Sequence, residues 1–362
     1  MSPRPGDWHS LRSILVFRAL FLGDLLCIVP ALRALRAAAP RARITLAGLP
    51  WASQFQERFA GYVDEHMVFP GFPGLPEQAP ALADVSDWLE RLRARQFDLA
   101  LQWHGSGAIS NILLALTGPG RMAGFYPRGG WCPEPDLFMP WVEREHEALR
   151  YLALLRALGV PLQGEALEFP VRAADHEDLL TLMNPLPAAG SYACIHAGAR
   201  LPSRRWPAQR FAQVADQLAG SGLQIVLTGA ANETALVREV RQQMRAPALD
   251  LCGKTGLGSL GALLSAARLL VCNDTGVAHM AAACATPSVT ICSGADPGRW
   301  APLDGVRHRV LSHAVACRPC AHAVCPIGHP CATGVTVEMV MREAHSQLAA
   351  NRGQASCGEG LP

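Results

Sequence analysis

The sequence predicts an α/β fold built from two Rossmann-like domains, each a parallel sheet flanked by helices, facing a central cleft. Three observations predict it. Short β-rich runs alternate with helical stretches along the chain, and that alternation runs through twice, with a proline-bearing seam between the passages. The length of 362 residues, 50% of them hydrophobic, suffices for about two domains of ~100–200 residues, each with a sizeable core.

The first strand is Ser13–Arg18, rich in β-branched and aromatic residues; an Ala/Leu/Arg helix runs from there to about Ala38, and Arg43–Ala47 is the next strand. The pattern continues through Val63–Phe69, the amphipathic Asp84–Gln96, the strand Phe97–Leu101 and a helix from about Ile109. Glycine, proline and aromatic residues crowd together between Gly124 and Pro140, which predicts a long surface loop before helical spacing returns over Glu143–Leu158. Prolines and a weak strand over Gly159–Gly190 mark a linker. The boundary belongs there, giving an N-terminal domain of residues 1–170, a C-terminal domain of 171–350 and a disordered tail of 351–362.

The second passage reads as strand Tyr192–His196, helix Ala208–Ala219, strand Leu223–Thr228, helix Glu233–Met244, strand Leu249–Cys252 and helix Ser259–Ala267. Strand Leu269–Cys272, helix Val277–Ala285 and strand Ser288–Cys292 follow, and a cysteine-rich loop, His313–Cys331, precedes a closing helix, Thr336–Ala349. Ligands of such sheets sit beyond the carboxyl ends of the strands, so residues that follow strands are the candidates for chemistry.

Composition excludes several classes. With 32 Lys+Arg against 30 Asp+Glu, the net charge of +2 lacks the cationic field of non-specific nucleic-acid binding, and a small-molecule partner is expected. Lys254 is the only lysine, so the basic residues are almost all arginine, whose planar fork suits phosphate and carboxylate. Twelve cysteines are too sparse for a disulfide scaffold, and no cleavable signal peptide opens the sequence. Arg18 and Asp24 interrupt the apolar run Ile14–Leu32, short of the ~20 uncharged residues of a membrane span. A soluble cytoplasmic protein with reduced thiols is expected.

Two near-motifs carry little. Gly253-Lys254-Thr255 ends like a phosphate-binding loop, but Ala248 stands where the opening glycine is required. Gly256, Gly258 and Gly261 match a dinucleotide fingerprint by spacing, yet read more simply as a glycine-rich turn leading into a helix. More informative is Cys272–His279. Asp274 and Thr275 suit an N-cap, Gly276 lets a ligand approach the backbone, and the helix end favours an anion such as a diphosphate, with His279 one turn in; an ordinary capped helix is the alternative. In the first half, Gly23 permits a tight turn and Asp24 opens a helix, as a simple cap or as a general base for a substrate hydroxyl. After strand Tyr192–His196, Gly198 opens a close-approach turn, and Arg204 and Arg205 could clamp phosphate oxygens or lie in a solvated loop. Gln102 and His104 follow a strand and are candidate acceptor contacts, or an ordinary strand end.

Three ordered motifs, Arg18 with Leu22-Gly23-Asp24 and Pro30, His196 with Gly198, Arg204, Trp206 and Pro207, and Asn273 through Gly276 with His279 and Ala281, resemble glycosyltransferase family 9, the ADP-heptose:lipopolysaccharide heptosyltransferases, over roughly residues 13–345. The resemblance implies a GT-B fold with an N-terminal acceptor domain and a C-terminal nucleotide-sugar domain. It implies inverting, metal-independent transfer of a sugar, heptose from ADP-heptose, to a lipopolysaccharide-core or related envelope saccharide. Asp24 becomes the catalytic base, and Arg204, usually lysine in the family, serves the donor diphosphate. Asp274, Thr275, Gly276 and His279 fall at the phosphates, Glu233 at the ribose hydroxyls, and Gly253–Leu257, including Lys254 and Thr255, along the base. Leu20 and Phe21 stand where relatives often carry hydroxyl residues, a departure that bears on the choice of sugar or acceptor. A lipid-linked acceptor implies peripheral contact with the inner membrane.

Cys317, Cys320, Cys325 and Cys331, with His313, His322 and His329 nearby, are soft ligands suited to a structural zinc. The spacing is not that of a standard ribbon, so a packed loop of reduced thiols is the default. The competing functional classes are a nucleotide-sugar epimerase, which needs two acid/base groups on one sugar, and a non-catalytic nucleotide- or metal-binding module.

Overall fold

The computed structural model describes residues 8–183, 185 and 187–355. The chain divides into two compact units, Met1–Leu167 and Glu168–Pro362. Unit 1 holds strands β1 (Ser13–Phe17), β2 (Arg43–Gly48), β3 (Glu65–Val68), β4 (Leu99–Gln102), β5 (Arg121–Tyr126) and β6 (Phe138–Pro140) in the order β3-β2-β1-β4-β5-β6. Unit 2 holds β7 (Tyr192–His196), β8 (Gln224–Thr228), β9 (Ala248–Asp250), β10 (Leu269–Asn273), β11 (Ser288–Ile291) and β12 (His308–Leu311) in the order β9-β8-β7-β10-β11-β12. All pairings are parallel.

The two sheets share one topology. In each, the chain leaves its first strand toward one edge and returns on the other side with its fourth. The carboxyl ends of β1 and β4, and of β7 and β10, are therefore switch points where the connections diverge and leave a crevice. Register brings Phe17 opposite Gln102 in unit 1 and His196 opposite Cys272 in unit 2, so the segments after these strands start level with each other.

The strands at both switch points are covered on both faces, which is why they read as continuous apolar runs. Ile14, Leu15, Val16 and Phe17 are completely buried, as are Leu269, Leu270, Val271 and Cys272. Helix Ala208–Gly220 adds Phe211, Val214 and Leu218 to a core with Ile195, Leu227, Val271 and Val289. The apolar run Ile14–Leu32 is strand β1 and the buried helices Leu22–Cys27 and Val29–Ala38, which separate at Ile28 just before Pro30. Among the described residues no helix is long and apolar enough to cross a membrane.

The structure differs from the sequence reading in four places. The stretch 124–140, read as loop, contains the end of β5 and all of β6, paired Gly124 to Phe138 and Tyr126 to Pro140; β6 is an edge strand, where proline is tolerated. The stretch 159–190, read as linker with a weak strand, contains helix Ala173–Leu182, whose first turn is fixed by the Arg172 N–H donating to Asp175 Oδ2 at 2.7 Å. Strand β12 covers the far edge of the second sheet, beyond the last strand expected there. The closing helix extends over Val337–Ala355, through the first residues of the expected tail; 356–362 lie outside the described residues.

Candidate functional site

In unit 2, three segments converge at the β7/β10 switch point because one side chain ties them together. Asn273, completely buried, donates from Nδ2 to the carbonyls of Ala197 (2.7 Å) and Gly198 (3.4 Å), and its Oδ1 accepts the Trp206 N–H at 2.9 Å. The turn after β7, the arginine-bearing loop and the end of β10 thus share one fully satisfied amide. Sequence reading placed Asn273 in a motif but gave it no role.

Beyond Asn273 the chain enters helix Gly276–Ala283. Its N-cap is Thr275, in extended backbone and without a side-chain cap bond; Asp274 stands one residue before the cap, so of the two only Thr275 is the capping residue. Gly276 opens the helix, where unpaired first-turn N–H groups and the dipole favour an anion. Arg204, in the turn Pro202–Arg204, faces the same place, and its buried Nε has no hydrogen-bond partner. Burial pushes the Asp274 carboxyl up, opposed by His279, Arg204 and Arg318. His279 is 6% exposed, with its ring edge-on to Trp300. Arg205 donates from Nε to the Ala199 carbonyl at 3.0 Å.

Gly198 and Glu233 meet. A Cβ on Gly198 would lie 2.1 Å from Glu233 Oε2, so the close approach this glycine permits is that of a carboxylate from the turn after β8. Glu233 is held by the Ala230 N–H (2.8 Å) and lies 3.8 Å from His196 Nε2, while His196 Nδ1 is 3.0 Å from Thr228 Oγ1. Burial lowers the His196 pKa against the pull of Glu233, favouring the neutral ring. Gly253, at φ +71° in the left-handed region, brings the next turn against Ala231, so Lys254 and Thr255 lie beside the Glu233 turn. Lys254 Nζ folds back to the Asp250 carbonyl at 2.7 Å. Of the dinucleotide-like glycines, Gly261 has a packing reason: a Cβ there would fall 2.3 Å from Phe169 Cε1.

At the β1/β4 switch point of unit 1, Asp24 occupies the first turn of helix Leu22–Cys27, with its N-cap at Phe21. Gly23 is a helical residue of that turn, not the tight turn leading into it. Asp24 is 22% exposed, and its carboxylate lies 3.7 Å from Nη2 of Arg18, which is completely buried. Arg18 donates to Glu147 Oε1 (3.1 Å) and the Trp103 carbonyl (2.5 Å) and contacts the Tyr151 hydroxyl, which in turn donates to Glu147 Oε1 at 2.8 Å. Burial pushes the Tyr151 phenol well above its ordinary range, so it remains a donor. Glu147 and Tyr151, missed in the sequence, share one face of helix Glu147–Ala157 at four-residue spacing.

The two acceptor-side candidates after β4 part company. Gln102 is completely buried; its Nε2 donates to the His104 carbonyl (2.5 Å) and Ser110 Oγ (2.7 Å), and its Oε1 accepts the Phe125 N–H at 3.1 Å. These bonds turn the Gln102 amide into the following loop. His104 Nδ1 accepts the Ala19 N–H at 3.1 Å, so Nε2 carries the proton of the neutral ring, 3.5 Å from Glu77 Oε2.

In the cysteine loop, Cys317, Cys320, Cys325 and Cys331 are not joined in disulfides. Among the described residues no group of three His, Cys, Asp or Glu side chains is arranged to hold a metal ion, so this geometry does not support the zinc reading.

The model for glycosyltransferase family 9 (heptosyltransferase) matches residues 86–330. Lipopolysaccharide heptosyltransferase 3 of Escherichia coli K12 is 26% identical over 229 residues, 61% of this chain and 66% of that relative's own length. A glycosyl transferase family 9 structure from Veillonella parvula superimposes with a TM-score of 0.79 at 22% identity, covering 95% of this chain and 98% of that one. The E. coli ADP-heptose lipopolysaccharide heptosyltransferase II structure gives a TM-score of 0.74 at 21% identity over 94% of this chain and 100% of the other.

Proposed function

The chain belongs to glycosyltransferase family 9 and has the GT-B fold, and from that premise we propose that it transfers heptose from ADP-heptose, with inversion, to a lipopolysaccharide-core or related envelope saccharide. The observation that carries the donor half is the buried, unpartnered Nε of Arg204 beside the N-terminus of helix Gly276–Ala283. A buried guanidinium nitrogen without an acceptor is costly, and a diphosphate is the ligand that satisfies both it and the helix end. Glu233 takes the ribose hydroxyls, and Lys254 and Thr255 lie along the base.

On the acceptor side, Asp24 takes the proton from the attacking hydroxyl as the new bond forms at the anomeric carbon. Arg204 and the helix terminus stabilise the departing diphosphate, with Thr275 and Gly276 at its oxygens and His279 one turn behind. These charges do the work of a divalent cation, so the reaction is metal-independent. Leu20 and Phe21, apolar residues before Gly23-Asp24, shape the selectivity for sugar or acceptor. A lipid-linked acceptor would bring the cytoplasmic enzyme to the inner-membrane surface.

A thermal-shift panel of nucleoside diphosphates and nucleotide sugars tests the donor assignment, since a ligand of the native state raises its apparent stability. Stabilisation by ADP species is expected; preference for UDP, GDP or NAD overturns it. Undiminished turnover in a folded Asp24→Ala variant overturns the assignment of the base.

A further inference from the structure

We propose that the cysteine-bearing loop 313–331 is the brace that fixes Arg204 in place, with His329 as its positioning residue. The inference rests on the reading of Arg204 as the diphosphate ligand.

Arg204 has a long, flexible side chain, so a fixed position for its guanidinium requires a fixed backbone. The residue before it supplies that. Ser203 is 5% exposed, and all three of its polar groups go to the cysteine loop. Its N–H donates to the Ala323 carbonyl at 3.1 Å, its hydroxyl donates to the His322 carbonyl, and its own carbonyl accepts from His329 Nε2 at 2.5 Å. Few contacts tie the same turn to its own segment: the Arg204 N–H to the Leu201 carbonyl at 2.9 Å and the Arg205 N–H to the Pro202 carbonyl at 3.1 Å.

His329 is built for this contact. Its φ of +62° lies in the left-handed region, which favours glycine, and its N–H donates to Cys325 Sγ at 3.2 Å. A glycine there would relieve the backbone but lose the ring that reaches Ser203. The far side of the loop grips the end of β11. Arg318 donates to the carbonyls of Cys292 (3.1 Å), Ser293 (2.7 Å) and His313 (2.9 Å), and the Cys320 N–H donates to the Gly294 carbonyl at 2.8 Å. Gly294 is flanked by Cys320 and by the aliphatic stem of Arg204, with a virtual Cβ 3.6 Å from Cys320 Cβ and 3.8 Å from Arg204 Cγ. The loop thus holds Arg204 from behind, through Ser203, and from the side, through Gly294. Within this brace Cys325 accepts a hydrogen bond and Cys320 packs against Gly294.

The test uses the full chain, with ADP as the probe. We expect Arg204→Ala to weaken ADP binding roughly 10–100-fold and His329→Ala roughly 3–10-fold, while the double variant binds no more weakly than Arg204→Ala alone. The donor KM rises in His329→Ala with the acceptor KM unmoved, and His329→Gln, which keeps an N–H donor, recovers part of the loss. Ser203→Ala, which removes only the bond to His322, should show a smaller loss with the same non-additivity, and serves if His329→Ala does not fold. Additive losses in the double variant, or a lower Tm with unchanged ADP affinity, overturn the brace while leaving Arg204 at the diphosphate. Unchanged ADP affinity in Arg204→Ala, or no ADP binding by the unaltered protein, overturns the underlying reading and the brace with it.

Discussion

Nη2 of Arg18 lies 3.7 Å from Asp24 Oδ1, and Nε of the same guanidinium donates to the Asp24 carbonyl at 2.9 Å. One buried cation therefore holds both the side chain and the main chain of the proposed base. It is shared: Nη2 also donates to Glu147 Oε1 at 3.1 Å, with the Tyr151 hydroxyl completing the cluster. Arg18 favours the ionised form of Asp24, and Glu147 disfavours it. Removing each should therefore shift the pH dependence in opposite directions. Glu147→Gln is expected to move the acidic limb of kcat/KM to lower pH and Arg18→Gln to higher pH. Superimposable acidic limbs in all three proteins would show that Arg18 does not act on Asp24.

Gly198 makes a sharper prediction about the donor site. Because a Cβ there would lie 2.1 Å from Glu233 Oε2, Gly198→Ala must displace the carboxylate proposed to hold the ribose. We expect stability to fall by about 1–3 kcal/mol, as overpacking does, and ADP affinity to fall with it. Truncating the obstacle relieves the clash, so Glu233→Ala combined with Gly198→Ala should regain the stability but not the affinity. A Gly198→Ala protein that binds ADP normally would separate Glu233 from the nucleoside.

The strands that build the two switch points were legible because burial on both faces leaves no polar residues in Ile14–Phe17 or Leu269–Cys272. Strand β6 was not legible: it is three residues long, ends in Pro140 and gains its identity only by pairing with β5. Helix Ala173–Leu182 was hidden by the surrounding prolines, although Asp175 in its first turn was a visible start signal. The same division runs through the site. Sequence could say that Gly198 allows a close approach, but not that the approaching group is Glu233. It could place Gln102 at a strand end, but not that its amide turns into the following loop to meet Ser110. Arg18 carried a motif, whereas Glu147 and Tyr151 come from a helix 129 or more residues away in the chain and needed the fold to be found.

Asn273 should be a stability residue with a functional signature. Its replacement by alanine strands the Trp206 N–H and the Ala197 carbonyl, both now paired with it inside the core at 2.9 and 2.7 Å. We expect Asn273→Ala to cost about 2–4 kcal/mol, because unpaired buried groups bear their full desolvation penalty. The loss should be local to the donor side: ADP affinity falls while the acceptor KM is unchanged. Equal effects on both substrates would indicate general loosening of the fold rather than separation of the β7 and β10 turns.

His308 gives the fold a pH dependence that is independent of the site. It is 4% exposed at the start of β12, its Nδ1 is 2.9 Å from Ser288 Oγ, and burial lowers its pKa from 6.5 to about 4, with Asp304 opposing. The folded value lies below the unfolded one, so between about pH 6.5 and pH 4 the unfolded chain binds more protons than the native chain. The stability associated with the neutral ring is complete above the upper value and declines as pH falls through this window, by at most about 1.4 kcal/mol per pH unit. Buried His196 is shifted in the same direction, so the comparison that isolates His308 is with His308→Gln, which retains a hydrogen-bonding partner for Ser288. Between pH 6.5 and pH 5 the unaltered protein should lose about 2 kcal/mol more than the variant in denaturant unfolding. Parallel losses in the two proteins would mean that His308 accepts its proton without cost in the folded state, and that the contact with Ser288 does not require the neutral ring.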